Sequence, residues 1–224
     1  MAAEDVANLV GLLCEAGVDF IKDDEVCANP DHAPLAGRVP AVMRQVRAYR
    51  ERTGRDVMIA FNITDEMDAM RRHADLVEKE GGSCVMASLN WCGLSALQTL
   101  RRSTPLALHG HRNGFGAFAR HPALGIGFDA YQALYRLAGI DHMHVHGIGG
   151  KFSDSAQDVS SAARRCGERR GCRVAGILLR PVGGHTACHL RYRRIGGLHV
   201  PRWRRDIGPS RWASGGGEEP PAGL

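Results

Sequence analysis

The chain has 224 residues, 44% of them apolar, enough to bury one core or two small ones. No apolar run reaches the roughly 18 residues a membrane span needs, and the acidic start lacks the basic and apolar regions of a secretory leader, so the cytoplasm is the expected compartment. The net charge of +5 is uneven: from Arg164 onward 13 Arg face four acids, whereas the preceding stretch holds 16 Lys plus Arg against 20 acids.

The first two thirds alternate between helical and strand patterns. Residues 2–14 predict a helix with Val6, Leu9, Val10 and Leu13 on one face, and Gly17 closes its turn. Residues 18–21 predict a short buried strand. Residues 40–52 predict an amphipathic helix stopped by Gly54. An apolar strand over 57–62 precedes a helix from Thr64 to about Lys79, ended by Gly81 and Gly82. A strand at 84–87 leads to a helix near 94–101. A strand at 106–109, a helix at 128–138, a strand at 143–145 and a helix at 155–165 follow. Trp91 and Tyr131 read as packing residues, and His32, His73 and His121 as surface or peripheral ones.

Short apolar strands each followed by a helix are the pattern of parallel βαβ units. Five in series without a GxGxxG fingerprint favour a barrel over a dinucleotide-binding sheet. The expected fold is therefore α/β, an incomplete (β/α)8 TIM barrel of about five to six βα units. Residues 1–170 form that partial barrel domain, and 171–224 form an irregular tail rich in Arg, Gly and Pro. Polar residues gather where the strands end: Lys22, Asp24 and Glu25 after the first, Asn62 at the second, His109, His111 and Arg112 after the fourth, and His142, His144 and Lys151 around the fifth. Active sites of such barrels are built at that end.

The run Gly17-Val18-Asp19-Phe20-Ile21-Lys22-Asp23-Asp24-Glu25 carries the most chemistry. Strand periodicity places Lys22 and Asp24 on one face, and Glu25 can turn to the same opening. Two carboxylates suit a hard cation such as Mg2+. An ammonium cannot ligate a metal, but its CO2-derived carbamate can. A solvated, ion-paired turn is the other reading of the same residues and, on composition alone, the commoner one. The seven cysteines, odd in number and without a CxxC pair, predict free thiols and no zinc site.

This run resembles the metal-site motif G-x-D-F-x-K-x-D-E of the RuBisCO large-subunit family. The resemblance implies that Lys22 is the carbamylated lysine and that Asp24 and Glu25 are the Mg2+ ligands, with Asp23 between them not a ligand. Leu108-His109-Gly110-His111-Arg112 resembles the family's H-x-H-R, which puts His111 by the metal and substrate and Arg112 on a substrate phosphate. Asp141-His142-Met143-His144 with Gly150-Lys151 resembles its D-H-x-H and loop lysine, giving His144 a phosphate and Lys151 a catalytic loop position. Asn62 resembles an asparagine near the metal. Phe115 stands where carboxylases carry another histidine, and Phe152-Ser153-Asp154 replaces Leu-Glu-Gly. These departures are similar to RuBisCO-like proteins, and within them to members acting on 3-oxo-isoapionate phosphate.

The resemblance implies Mg2+-dependent enediolate chemistry on a phosphorylated keto sugar or sugar acid, by a homodimer whose second subunit covers the barrel. The family's first barrel strand and its last two have no counterpart here, so a catalytically inactive remnant is the alternative expectation. A one-base frameshift in a GC-rich gene would explain the Arg-rich tail; one back-translation of residues 180–208 gives barrel-like endings in the shifted frame. On that view the tail implies no nucleic-acid partner, and base stacking would in any case need interleaved aromatics on a folded platform.

Overall fold

The computed structural model describes residues 1–121 and 123–145, together with Gln157 and Ala162. Five strands, β1 (Phe20–Lys22), β2 (Met58–Asn62), β3 (Cys84–Ser88), β4 (Ala107–His111) and β5 (His142–Met143), alternate with helices α1 (Ala3–Glu15), α2 (Leu35–Thr53), α3 (Met67–Lys79), α4 (Leu89–Ser103), α5 (Gly116–Ala119) and α6 (Phe128–Leu137). Every strand pair is parallel, and the spatial order β1-β2-β3-β4-β5 is the chain order. A doubly wound sheet reverses its order at a switch point, and none occurs among these strands. The fold is α/β, a half-barrel wall of the TIM type.

Period-two alternation divides each strand between two layers. Ile59 and Phe61 of β2, Val85 and Ala87 of β3, Leu108 of β4 and Met143 of β5 join the large core beneath the helices. The opposite face carries a smaller cluster, Phe20, Ala60, Cys84 and Met86. In α2 the buried positions Val39, Val42, Met43, Val46 and Tyr49 follow helical spacing. Gly110 has no side chain because a Cβ there would meet Leu89 and Ile140 at 3.0 Å, the closeness at which helix and strand layers pack.

Element order follows the sequence expectation, but several boundaries move. The second helix starts at Leu35, five residues before Pro40, which sits inside it and gives up the bond its missing N–H would make to the carbonyl of Ala36. The third starts at Met67 because the Glu66 carboxylate caps it, accepting from the N–H groups of Asp68 and Ala69 at 2.8 and 2.6 Å. The fourth follows β3 without a loop and bends at Gly93, whose φ of 75° is left-handed. Strand β4 runs to His111, so His109 and His111 lie within it rather than after it.

Cys14, Cys27, Cys84 and Cys92 are free thiols. Among the described residues no helix is long and apolar enough to cross a membrane. Gln157 and Ala162 are helical, as expected for 155–165. Lys151, the remainder of that helix and the segment 171–224 lie outside the described residues.

Candidate active site

The layering that builds the core also builds the site. Counting by two along the inner face reaches Lys22 on β1, Asn62 on β2, Ser88 on β3 and His111 on β4, each the last residue of its strand. His144 is next but one after the β5 residue His142, which packs on His109 inside the sheet. Five polar side chains thus close the C-terminal end of a wall whose interior below them is Phe20, Ala60, Cys84 and Met86.

On the β1 side the groups are charged. Lys22 Nζ lies 3.2 Å from Glu25 Oε2 and donates to the Asp23 carbonyl at 3.1 Å. Asp24 stands apart: β1 has ended at Lys22, and the Asp24 carboxylate accepts from the Val26 N–H at 2.9 Å while its side chain is exposed. Strand alternation therefore does not carry Asp24 onto the Lys22 face, as the sequence suggested; it belongs to the turn. Burial alone would raise the Glu25 carboxyl, but its own backbone N–H, His111 when protonated and the Lys22 charge hold it below the usual range. His111 Nε2 is 3.6 Å from Glu25 Oε2, too long for a hydrogen bond. Burial, then the Lys22 charge, depress His111 to about 4. It is neutral near pH 7, so its contact with Glu25 is polar rather than ionic, and the Lys22 ammonium is the charge that steadies Glu25.

On the β4–β5 side the groups are imidazoles. His111 stacks obliquely on His144 with centroids 4.5 Å apart, and accepts at Nδ1 from the Asn113 N–H at 3.2 Å. Deeper in, His109 Nδ1 and His142 Nδ1 are 2.7 Å apart, so one must carry the bridging proton and the other must accept it. Burial is the first cause that pushes His109 well below 6.5 and His142 to about 4. Both are neutral near pH 7, because burial outweighs the pull of the Asp141 carboxylate on His142.

Arg112 leaves β4 into an aromatic pocket, its guanidinium carbon 4.0 Å from the Phe128 ring centre and 5.0 Å from that of Phe115. It is only 4% exposed, and burial lowers its pKa to about 10. Phe115 packs on Tyr131 at 4.7 Å, which accounts for an apolar ring where carboxylases carry a histidine. Tyr131 is buried as expected, whereas Trp91, expected to pack, is 72% exposed.

Sequence patterns assign no site role to Arg38, Ser88 or Thr64, the last expected only to open a helix. Arg38 is 2% exposed on the buried stripe of α2 and binds Asp23 Oδ2 at 3.1 Å. Its signal was present: it lies four residues before Val42 and eight before Val46. Asn62, expected near the metal, gives its N–H to Asp23 Oδ2 at 3.0 Å and its amide to the Asp24 carbonyl at 2.9 Å. Thr64 donates to Asn62 Oδ1 at 2.6 Å and accepts from the Ser88 N–H at 2.9 Å.

Among the described residues no three His, Cys, Asp or Glu side chains form a ready metal cage. Glu25 and Asp24 offer two hard carboxylates, and a hard cation wants further oxygens. A carbamate on Lys22, beside Glu25, is the group that would supply the missing anionic oxygen, so the donor set fits Mg2+ with a modified lysine and not a site of unmodified residues.

Residues 1–170 match the family model described as ribulose bisphosphate carboxylase large chain, catalytic domain. A ribulose bisphosphate carboxylase-like protein of Bordetella bronchiseptica is 52% identical, the match covering 74% of this chain and 39% of the relative. A 3-oxo-isoapionate-4-phosphate transcarboxylase/hydrolase of Xanthobacter autotrophicus is 48% identical over 73% of this chain and 40% of its own length. The crystal structure of a rubisco-like protein from Burkholderia fungorum superposes with a TM-score of 0.73 at 66% identity, covering 79% of this chain and 43% of that one. The chain spans about two fifths of the length of the relatives it matches. A parallel half-barrel with Lys22, Glu25 and the His111–His144 pair at its C-terminal mouth, matched over 170 residues, belongs to the RuBisCO large-chain family.

Proposed function

We propose that this chain is part of a RuBisCO-like enzyme that binds Mg2+ and handles a phosphorylated keto sugar or sugar acid through an enediolate. A 3-oxo-isoapionate phosphate, named in the Xanthobacter relative, is the favoured substrate, with decarboxylase or transcarboxylase/hydrolase chemistry. The observation that carries the reading is the Lys22–Glu25 contact of 3.2 Å beside His111 at the strand ends. Lys22, losing one proton from its ammonium and a second as the amine adds CO2, would change from a cation to a carbamate anion and hold the metal with Glu25 and Asp24. Bound there, Mg2+ supplies Lewis-acid stabilisation of the charge that develops on substrate oxygens.

The chain's own residues do the rest. His111, neutral near pH 7 and held at Nδ1 by the Asn113 N–H, presents Nε2 toward the mouth as a hydrogen-bond donor to a substrate oxygen. His144, stacked on it, would meet a phosphate. Arg112 supplies the cation for that phosphate, its planar guanidinium lying on two aromatic faces. Lys151 would close over the substrate and exclude water.

A titration of the full chain with Mg2+, with and without bicarbonate, tests this. Binding that strengthens with CO2 and vanishes in Lys22→Met supports the reading; binding indifferent to both contradicts it.

A further inference from the structure

Three acids stand in a row, Asp23-Asp24-Glu25, and the structure treats them differently. Asp23 points away from the opening. Its Oδ2 accepts from Arg38 Nη2 at 3.1 Å and from the Asn62 N–H at 3.0 Å, and its side chain is 14% exposed. Arg38 uses the same guanidinium on the whole turn that follows: Nη2 donates to the carbonyls of Ala28 at 2.6 Å and Cys27 at 3.3 Å, and Nη1 to that of Ala33. One planar fork therefore holds the start, middle and end of the segment between β1 and α2. On the other side, Asn62 ties the Asp24 carbonyl to β2, and Thr64 ties Asn62 to Ser88 on β3.

We infer that Arg38 and Asp23 are positioning residues for the cation site: they lock the backbone that carries Lys22, Asp24 and Glu25, so that the Lys22 and Glu25 side chains face the mouth together. The inference rests on the metal reading above. Its physical basis is cost. A guanidinium 3% exposed and a carboxylate beside it lose much solvation, and an apolar residue would anchor α2 at least as well. What an apolar residue cannot do is bind Asp23 and three carbonyls at fixed angles. A lysine keeps the charge but not the fork.

The test uses the full chain with Mn2+ as the probe, in bicarbonate buffer, read by the electron paramagnetic resonance of free Mn2+. Arg38→Lys and Asp23→Asn are the variants; both are close in size to the natural residue, and circular dichroism with thermal melting selects conditions where each is folded. Amide exchange at Val26 and Asn62 reports the turn without metal. We expect Mn2+ affinity to fall about ten-fold or more, as loss of a group that orients metal ligands does, with faster exchange at both amides. Arg38→Lys should retain more affinity than Arg38→Met. Folded variants that bind Mn2+ within about two-fold of the natural chain overturn the positioning role and leave the metal reading standing. A natural chain that binds no Mn2+ overturns both.

Discussion

The two sides of the barrel mouth hold their polar groups by opposite means. On the β1–β2 side charge is kept and answered: Lys22 meets Glu25, and Arg38 meets Asp23 under a mesh of backbone hydrogen bonds. On the β4–β5 side charge is given up: three histidines are held neutral by burial or nearby charge, and the cationic Arg112 rests on aromatic faces. The contrast suits the roles proposed for the two sides. A cation site needs anions whose positions are enforced. A phosphate and a polarised carbonyl need hydrogen-bond donors and a cation.

The largest effect should come from breaking the charged side. Arg38→Met leaves the Asp23 carboxylate buried without its cation, and chemical unfolding should show a loss of about 3–5 kcal/mol. Loss below about 1 kcal/mol would mean that water reaches Asp23 freely.

The neutral side should respond to acid. His111 and His142 titrate near 4 in the folded chain and near 6.5 when unfolded. Between those values the unfolded chain binds more protons, so stability is full above about pH 6.5 and falls as the pH drops toward 4, by roughly 2–3 kcal/mol for each group. Unfolding measured from pH 7.5 to 4 checks the slope, and His142→Gln should flatten part of it.

A smaller effect is expected at the aromatic pocket. Phe128→Leu removes the face under Arg112 and should cost about 1–2 kcal/mol, while phosphate affinity in the full chain weakens several-fold. The smallest concerns Tyr131→Phe, which deletes the 2.8 Å hydrogen bond to Asn90 and should cost about 1 kcal/mol by thermal melting.

Much of this contrast was legible in the residues alone. Hydrophobic period and breakers reveal the strands because β2 and β3 are buried on both faces and read as apolar runs. The histidine pairs were visible by their spacing of two, which puts His109 with His111 and His142 with His144 on one face. Spacing failed for Asp24, because the strand ends two residues earlier and a turn obeys hydrogen bonding rather than pleat. It failed for Arg38 because a charged residue on an apolar stripe reads as a surface side chain until its partner, 15 residues away, is brought beside it. It also misplaced the start of α2, since Pro40 commonly opens a helix and here lies within one.

The proposed metal site requires Lys22 to become an anion beside Glu25. The direct measurement is carbon NMR of the full chain under 13CO2 with Mg2+. One carbamate signal that requires the metal, and that is lost in Lys22→Arg, is the predicted result. An unchanged spectrum on adding 13CO2 and Mg2+, or a carbamate signal that persists in Lys22→Arg, would contradict it.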